Sequence, residues 1–522
     1  MRLAHGALVV AAGLGLCLAA TPAPGSAAPA ETPDGKAAAL FTEYRELLRE
    51  TAWKKVDRRF DILRAMGGLS CATARESLLR VLPIARTGDE KVLAILALGR
   101  IADRDAVEKL AAAAAKGEDP VLLQALSKGL EQLQDAGARA WVGGEGLASA
   151  KGGLLRALIR GAGRLQLEGA ADRIAALYGE NAGKKGEIDL CHDAVRAMGE
   201  IGGAKGRVMV MAAAAHPEWR IRMAAAEALP RLPERDGEAE DAFRRVVEEG
   251  HPVVRRVAVR AAAEGKWEEV VPYVIEVLKD ERLAVRKATH DALVAFSGKD
   301  LGFDPGTWSR WWKDRAEGRV EIYTVGDYYG LHLWSDRVVF VVDTSGSMTW
   351  PWRKDPKRIE VARSELSRAL GLLPKTCLFN MVAFSSKVRP WQPREEVPAT
   401  PANVEQARAW AEKVLVADGD TWTYAVLRDV FAKNPEFDSL YFLSDGAPSD
   451  GEYITPEGIV AQVEVWNRYR RVVIHTIGLT LEDLDRGMPN LAEDLHQMRG
   501  FMKALAAATG GECRIVTQVP RR

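Results

Sequence analysis

The chain has 522 residues, 47% of them hydrophobic, with 72 basic and 72 acidic side chains and a formal net charge of zero. That length exceeds one ordinary core and implies two or more domains, and the apolar fraction fits folded material, not a disordered scaffold. No Lys/Arg block or basic stripe stands out, which argues against nucleic acid or an anionic membrane surface as the main partner.

Residues 1–30 read as an export signal. Arg2 and His5 give a polar start, Gly6–Ala20 is an apolar core, and Ala28-Pro29-Ala30 offers a small-x-small cleavage site before Glu31. The apolar run is too short to span a bilayer, so no transmembrane segment is expected in the mature chain. The expected location is periplasmic, cell-surface or secreted. Cys17 lacks the small residue that precedes a lipidated cysteine. Beyond it, Cys71, Cys191, Cys377 and Cys513 are scattered without a CxxC pair, so buried free thiols are expected.

Residues 31–300 are helical in period. Similar helix ends recur at Leu69, Ile101, Leu133, Leu165, Ile201, Leu232, Trp267 and Phe296, about 29–36 residues apart, the spacing of stacked helical hairpins. Within one unit Ile221, Ala224, Ala225, Ala228, Leu229 and Leu232 share a face. Asp119-Pro120, His216-Pro217 and His251-Pro252 place proline where a helix opens. This half resembles HEAT-like repeats, which implies an α-solenoid with a long surface for docking. Residues 301–335 form a tryptophan-rich cap and linker, in which Trp308, Trp311 and Trp312 lie at the spacing of one helical face.

Beyond Ser335 apolar runs alternate with amphipathic helices, the pattern of a parallel sheet covered on both faces. Strands are expected at Arg337–Asp343, Leu378–Phe384, Leu440–Ser444, Val472–Ile477 and Glu512–Val516, with a hairpin partner near Lys387–Trp391. Helices are expected at Arg358–Leu373, Ala402–Leu415, Thr423–Phe431, Pro456–Tyr469 and Arg499–Thr509. Open α/β sheets bind ligands beyond the carboxyl ends of their strands. The segment RVVFVVDTSGSM ends its strand in Asp343 and follows it with Ser345 and Ser347, oxygen donors suited to a hard cation.

Three motifs in order, DTSGS, DGDTWTYAVL and LSDGAP, resemble the metal-ion-dependent adhesion site of a von Willebrand factor type A domain, a doubly wound, Rossmann-like fold covering residues 336–520. The resemblance implies Asp343, Ser345, Ser347, Thr421 and Asp445 as metal ligands. It implies Mg²⁺, with Mn²⁺ or Ca²⁺ as alternatives, and an open position that an acidic side chain of a protein partner can occupy. The second loop departs from the family's frequent Gly-Gly-Thr by carrying Asp420, which could add charge near the ion or face solvent. Trp350, Trp352 and Trp422 flank these loops as candidate partner contacts, with core packing an equal alternative for Trp422.

An enzyme is not expected. GxSxG, HExxH and a Gly-rich phosphate loop are all missing from the sequence. His475, inside VVIHTI, reads as a core histidine. The expected function is an exported adhesion scaffold that grips its partner through the metal, with the repeats as a second surface. The alternative is a regulatory or assembly subunit working with an ATPase in metal insertion or complex maturation.

Overall fold

The computed structural model describes residues 32–50, 53–314, 326–351, 356–480 and 489–517. Residues 1–30, expected to be an export signal, and Trp352 lie outside the described residues.

The first half is a two-row stack of helices. One row runs Trp53–Gly67, Gly88–Ile101, Pro120–Leu130, Gly152–Arg164, Ile188–Ile201, Trp219–Ala228, Pro252–Glu264 and Leu283–Ser297, each packed on the next. The other includes Pro33–Leu47, Ala72–Ile84, Arg104–Ala115, Ala171–Asn181, Gly203–Ala214 and Gly237–Val247. The recurring small residue near each helix end sets the spacing of the first row. A Cβ on Gly99 would stand 2.3 Å from the Gly129 backbone, and one on Gly199 would stand 2.4 Å from Ala228 Cβ. Charge pairs, buried or half-buried, knit successive units: Arg59 to Glu90 at 2.7 Å, Arg160 to Asp193 at 3.1 Å and Arg196 to Glu227 at 2.7 Å.

Proline opens the helices at Pro120 and Pro252, as its position predicts. Pro217 does not. That helix begins at Trp219 and is capped by the Glu218 carboxylate, because His216 folds back to accept a hydrogen bond from Glu218 N at 3.0 Å. In the Pro305–Asp314 helix Trp308 is fully buried and its indole N–H donates to Gly302 O at 2.8 Å.

The second half opens with a small antiparallel pair, β1 (Asp327–Tyr328) and β2 (Leu331–His332). The main sheet follows with β3 (Arg337–Asp343), β4 (Leu378–Phe384), β5 (Val388–Pro390), β6 (Val397–Pro398), β7 (Ser439–Ser444), β8 (Val473–Leu479) and β9 (Cys513–Val516). Its order is β5-β4-β3-β7-β8-β9, with β6 on the far end of β4. β3, β4, β7, β8 and β9 run parallel, and β5 and β6 are antiparallel to β4. The central strand β3 lies between β4 and β7, so the chain order reverses around it and opens a crevice at its carboxyl end. The near-continuous apolar runs of β3 and β7 are explained by burial on both faces.

The first row of helices is the inner row, because the second half is seated on it. The Pro456–Asn467 helix lies against Gly88–Ile101 and Pro120–Leu130, and one apolar core joins these helices to Val339, Val341, Leu440 and Phe442 of the sheet. Charged contacts run the length of the seat. Arg64 meets Glu457 at 3.0 Å, Lys128 meets Glu464 at 2.6 Å, and Arg468 meets Asp193 at 2.7 Å. Arg471 meets Glu227, and Arg282 meets Asp438 at 3.0 Å. Asp336 and Asp438 precede β3 and β7, so the repeats hold the edge of the sheet where strands begin. Among the described residues Cys71, Cys191, Cys377 and Cys513 are unpaired.

Candidate metal centre

β3 delivers Asp343 to the opposite edge, fully buried. Its carboxylate accepts a hydrogen bond from Ser345 N at 2.6 Å and another from the Ser444 hydroxyl. The chain then makes one tight turn, Gly346–Thr349, which turns Ser347 back beside Ser345, their hydroxyl oxygens 3.1 Å apart. Ser347 donates to Asp445 at 2.7 Å, and Asp445 directly follows β7.

Thr421 arrives on a loop stitched to both others. Gly346 N donates to Gly419 O at 2.8 Å and Asp418 N to Thr344 O at 2.7 Å. On its other side Thr421 N donates to the Ser449 hydroxyl at 2.9 Å, while Ser449 N donates to Thr421 O at 3.1 Å. A Cβ placed on Gly446 would stand 3.3 Å from the Thr421 hydroxyl and 4.0 Å from that of Ser347. Glycine there leaves the space between the two hydroxyls open. All five side chains expected from the sequence thus gather on one rim of the sheet.

The electrostatics of the rim are unbalanced. Burial, then the like charge of Asp445, push the Asp343 carboxyl up to about 7. Burial also raises Asp445, opposed by Arg358 and by the Ser347 hydroxyl. Arg358 is the residue that sequence reading missed. It is 2% exposed, opens the Arg358–Leu370 helix, and donates to Asp445 at 2.6 Å. The signal available was a guanidinium at the first position of the helix after the metal loop. Among the described residues Arg358 thus pairs with one of the two buried carboxylates, and every donor in the ring of five is oxygen. That set fits a hard divalent ion, which would be held by hydroxyl and carboxylate oxygens. Among the described residues no cluster of three His, Cys, Asp or Glu side chains could hold a metal, so the hydroxyls are essential to any such site.

The flanking residues divide. Trp350 is 41% exposed with the Arg358 guanidinium 5.4 Å from its ring centre. Trp422 is half-buried, its indole N–H without a hydrogen-bond partner. Asp420 is exposed and, among the described residues, tied to Ser386, with Asp420 N donating to that hydroxyl at 2.8 Å. His475 stacks on Tyr441 at 4.9 Å and accepts from Glu512 N, and burial lowers it to about 4. It is far from the rim in the strand and serves packing.

A family model described as von Willebrand factor type A domain matches residues 336–503. Among curated proteins, inter-alpha-trypsin inhibitor heavy chain H4 of Homo sapiens is 32% identical over 133 residues, covering 24% of this chain and 14% of the relative. Heavy chain H1 of Bos taurus is 30% identical over 124 residues, 22% of this chain and 13% of the relative. The chain thus spans about one-seventh of the length of the curated relatives it matches. Among solved structures, a von Willebrand factor type A protein from Catenulispora acidiphila aligns with TM-score 0.27 and 21% identity, covering 35% of this chain and 38% of that one. Domains of the matched family mediate protein–protein contacts. Among the described residues no helix is long and apolar enough to cross a membrane.

Proposed function

With residues 336–503 forming a von Willebrand factor type A domain that follows HEAT-like repeats, we propose that this chain is an exported, non-enzymatic adhesion scaffold. Its Asp343, Ser345, Ser347, Thr421 and Asp445 hold a divalent cation, Mg²⁺ before Mn²⁺ or Ca²⁺, and so grip an acidic side chain of a protein partner. The observation that carries this reading is the charge balance of the rim, where, among the described residues, Arg358 pairs with Asp445 and the neighbouring buried Asp343 accepts from Ser345 and Ser444. A bound divalent ion supplies the missing positive charge and an open position for a visiting carboxylate oxygen.

The chain's own groups prepare the rest. Asp343 fixes the turn that aligns Ser345 and Ser347, and Ser449 holds Thr421 through two hydrogen bonds. Neutral hydroxyls leave the ion's charge less quenched than carboxylates would. Exposed Trp350 and half-buried Trp422 border the opening and supply apolar contact area to the partner. Export rests on the apolar Gly6–Ala20 segment. Because the inner row is covered by the second half, the second interaction surface is the outer row of helices.

Mg²⁺ should raise the Tm of the wild type, by an amount equivalent to about 2.7 kcal/mol at a hundredfold excess over Kd, and leave Asp343→Ala unmoved. Equal shifts in both proteins would falsify the metal assignment. Pull-downs from the exported fraction, with Mg²⁺ and then with chelator, identify the partner as the protein released.

A further inference from the structure

The repeats touch the third metal loop at Asp89, and the contact is tight. Asp89, in the first turn of the Gly88–Ile101 helix, is 1% exposed. Its carboxylate accepts hydrogen bonds from Ile454 N at 2.8 Å, from Thr455 N at 3.1 Å and from the Thr455 hydroxyl. Thr455 in turn caps the Pro456–Asn467 helix by accepting from Gly458 N at 3.1 Å. The surroundings leave no slack. A Cβ on Gly88 would stand 2.7 Å from the ring of Tyr453, and one on Gly458 would stand 2.3 Å from the Asp89 carboxylate. Tyr453 itself is 1% exposed.

The segment pinned in this way is the end of the third metal loop. That loop leaves β7 at Asp445, passes Ser449, which holds Thr421 from both sides, and reaches Asp89 at Ile454 and Thr455. Elsewhere the seat is looser. Between the Gly152–Arg164 and Ile188–Ile201 helices and the stretch around Trp466–Tyr469 lies a polar cavity of about 640 Å³. The Asp89 contact, by comparison, is closely packed, with Tyr453 and Gly458 set against Gly88 and Asp89.

We propose that Asp89 is a positioning residue for the metal site: by fixing residues 453–455 it holds the third loop in the shape that presents Asp445 and Thr421, so that metal occupancy and docking of the first repeats are coupled. This inference rests on the metal-binding reading. Coupling of this kind is reciprocal, so bound metal must tighten the Asp89 contact as much as that contact tightens metal binding. A partner that pulls the first repeats from the Pro456–Asn467 helix would lower the affinity of the rim for its ion.

The test uses the full chain, with Mn²⁺ titrated and followed by the electron paramagnetic resonance signal of the free ion. Asp89→Asn should weaken Mn²⁺ binding about tenfold, within the range typical of coupled sites. Arg468→Ala, which loosens the seat beside its cavity, should change it less than about twofold. Hydrogen exchange supplies the reciprocal readout: Mn²⁺ should slow exchange at Ile454 and Thr455 in the wild type and not in Asp89→Asn. Should Asp89→Asn fail to fold, Thr455→Val removes one donor and should shift affinity in the same direction, about threefold. Unchanged affinity in the folded variants overturns the coupling alone. A wild type that takes up no Mn²⁺ overturns the metal reading, and the coupling with it.

Discussion

Buried carboxylates in the arginine-lined middle of the seat and at the rim of the metal loops behave oppositely, and Asp89, held by Ile454 and Thr455 and raised by burial to about 6, sides with the rim. In the seat, burial would raise Asp193, but the guanidinium groups of Arg468 and Arg160 outweigh it and hold the carboxyl well below its ordinary range. Glu227 is likewise raised by burial, yet Arg196 and Arg471 bring it down to about 2. At the rim Asp343 is just as buried, receives only hydroxyl and amide donors, and is pushed up to about 7. The difference separates finished structure from unfinished structure. A carboxylate gripped by two arginines already has its counter-charge, whereas one buried among hydroxyls lacks it.

The contrast can be broken most strongly at Arg468. Arg468→Ala leaves the nearly inaccessible Asp193 with Arg160 alone and should cost about 3 kcal/mol in urea unfolding, the range for a broken buried pair. At the rim the sign reverses. Asp343→Asn removes a buried charge that lacks a cation, and should stabilise the metal-free protein by roughly 2 kcal/mol at neutral pH while abolishing the response to Mg²⁺. A loss of stability in metal-free Asp343→Asn would remove the distinction between the two regions.

Acid sharpens the same comparison. Glu227 has a depressed value in the folded state, so its contribution is fully present above its ordinary value of 4.5 and is lost as pH falls through about 2. Glu227→Gln should therefore flatten the pH dependence of stability between those values, measured by thermal unfolding. The smallest effect belongs to Asp420. It is exposed and bonded to Ser386, and its change to asparagine should alter stability and Mg²⁺ affinity by less than about 0.5 kcal/mol.

Local pattern made much of this molecule readable. The apolar runs place β3 and β4 to the residue, because strands buried on both faces have sharp chemical edges. The last helix begins earlier than expected, at Pro489 instead of Arg499, and the two-residue strands β1, β2 and β6 carry too little pattern to announce themselves. Motif order brought the five rim residues into view, since each lies at a strand end or in a loop before a helix. What sequence did not disclose is pairing at long range. Arg358 looks like a solvated helix residue until Asp445, 87 positions away, is brought beside it. Asp89 looks like an ordinary first-turn acid until the fold sets it against Thr455, 366 positions on. Occupation of the inner row by the second half is a property of the assembled surfaces, which no local window contains.

The placement of β3 has a mechanical consequence. In the proposed grip, a pull on a partner carboxylate held by an ion at Asp343 would travel down a strand of seven residues, about 20 Å, to Asp336, which accepts from Leu283 N at 2.5 Å in the last inner helix. Parallel neighbours on both sides load their hydrogen bonds together in shear instead of unzipping one by one. Tension entering at the rim would thus be borne by the whole sheet and delivered to the base of the helical stack, so that the proposed grip would act as an in-line tether.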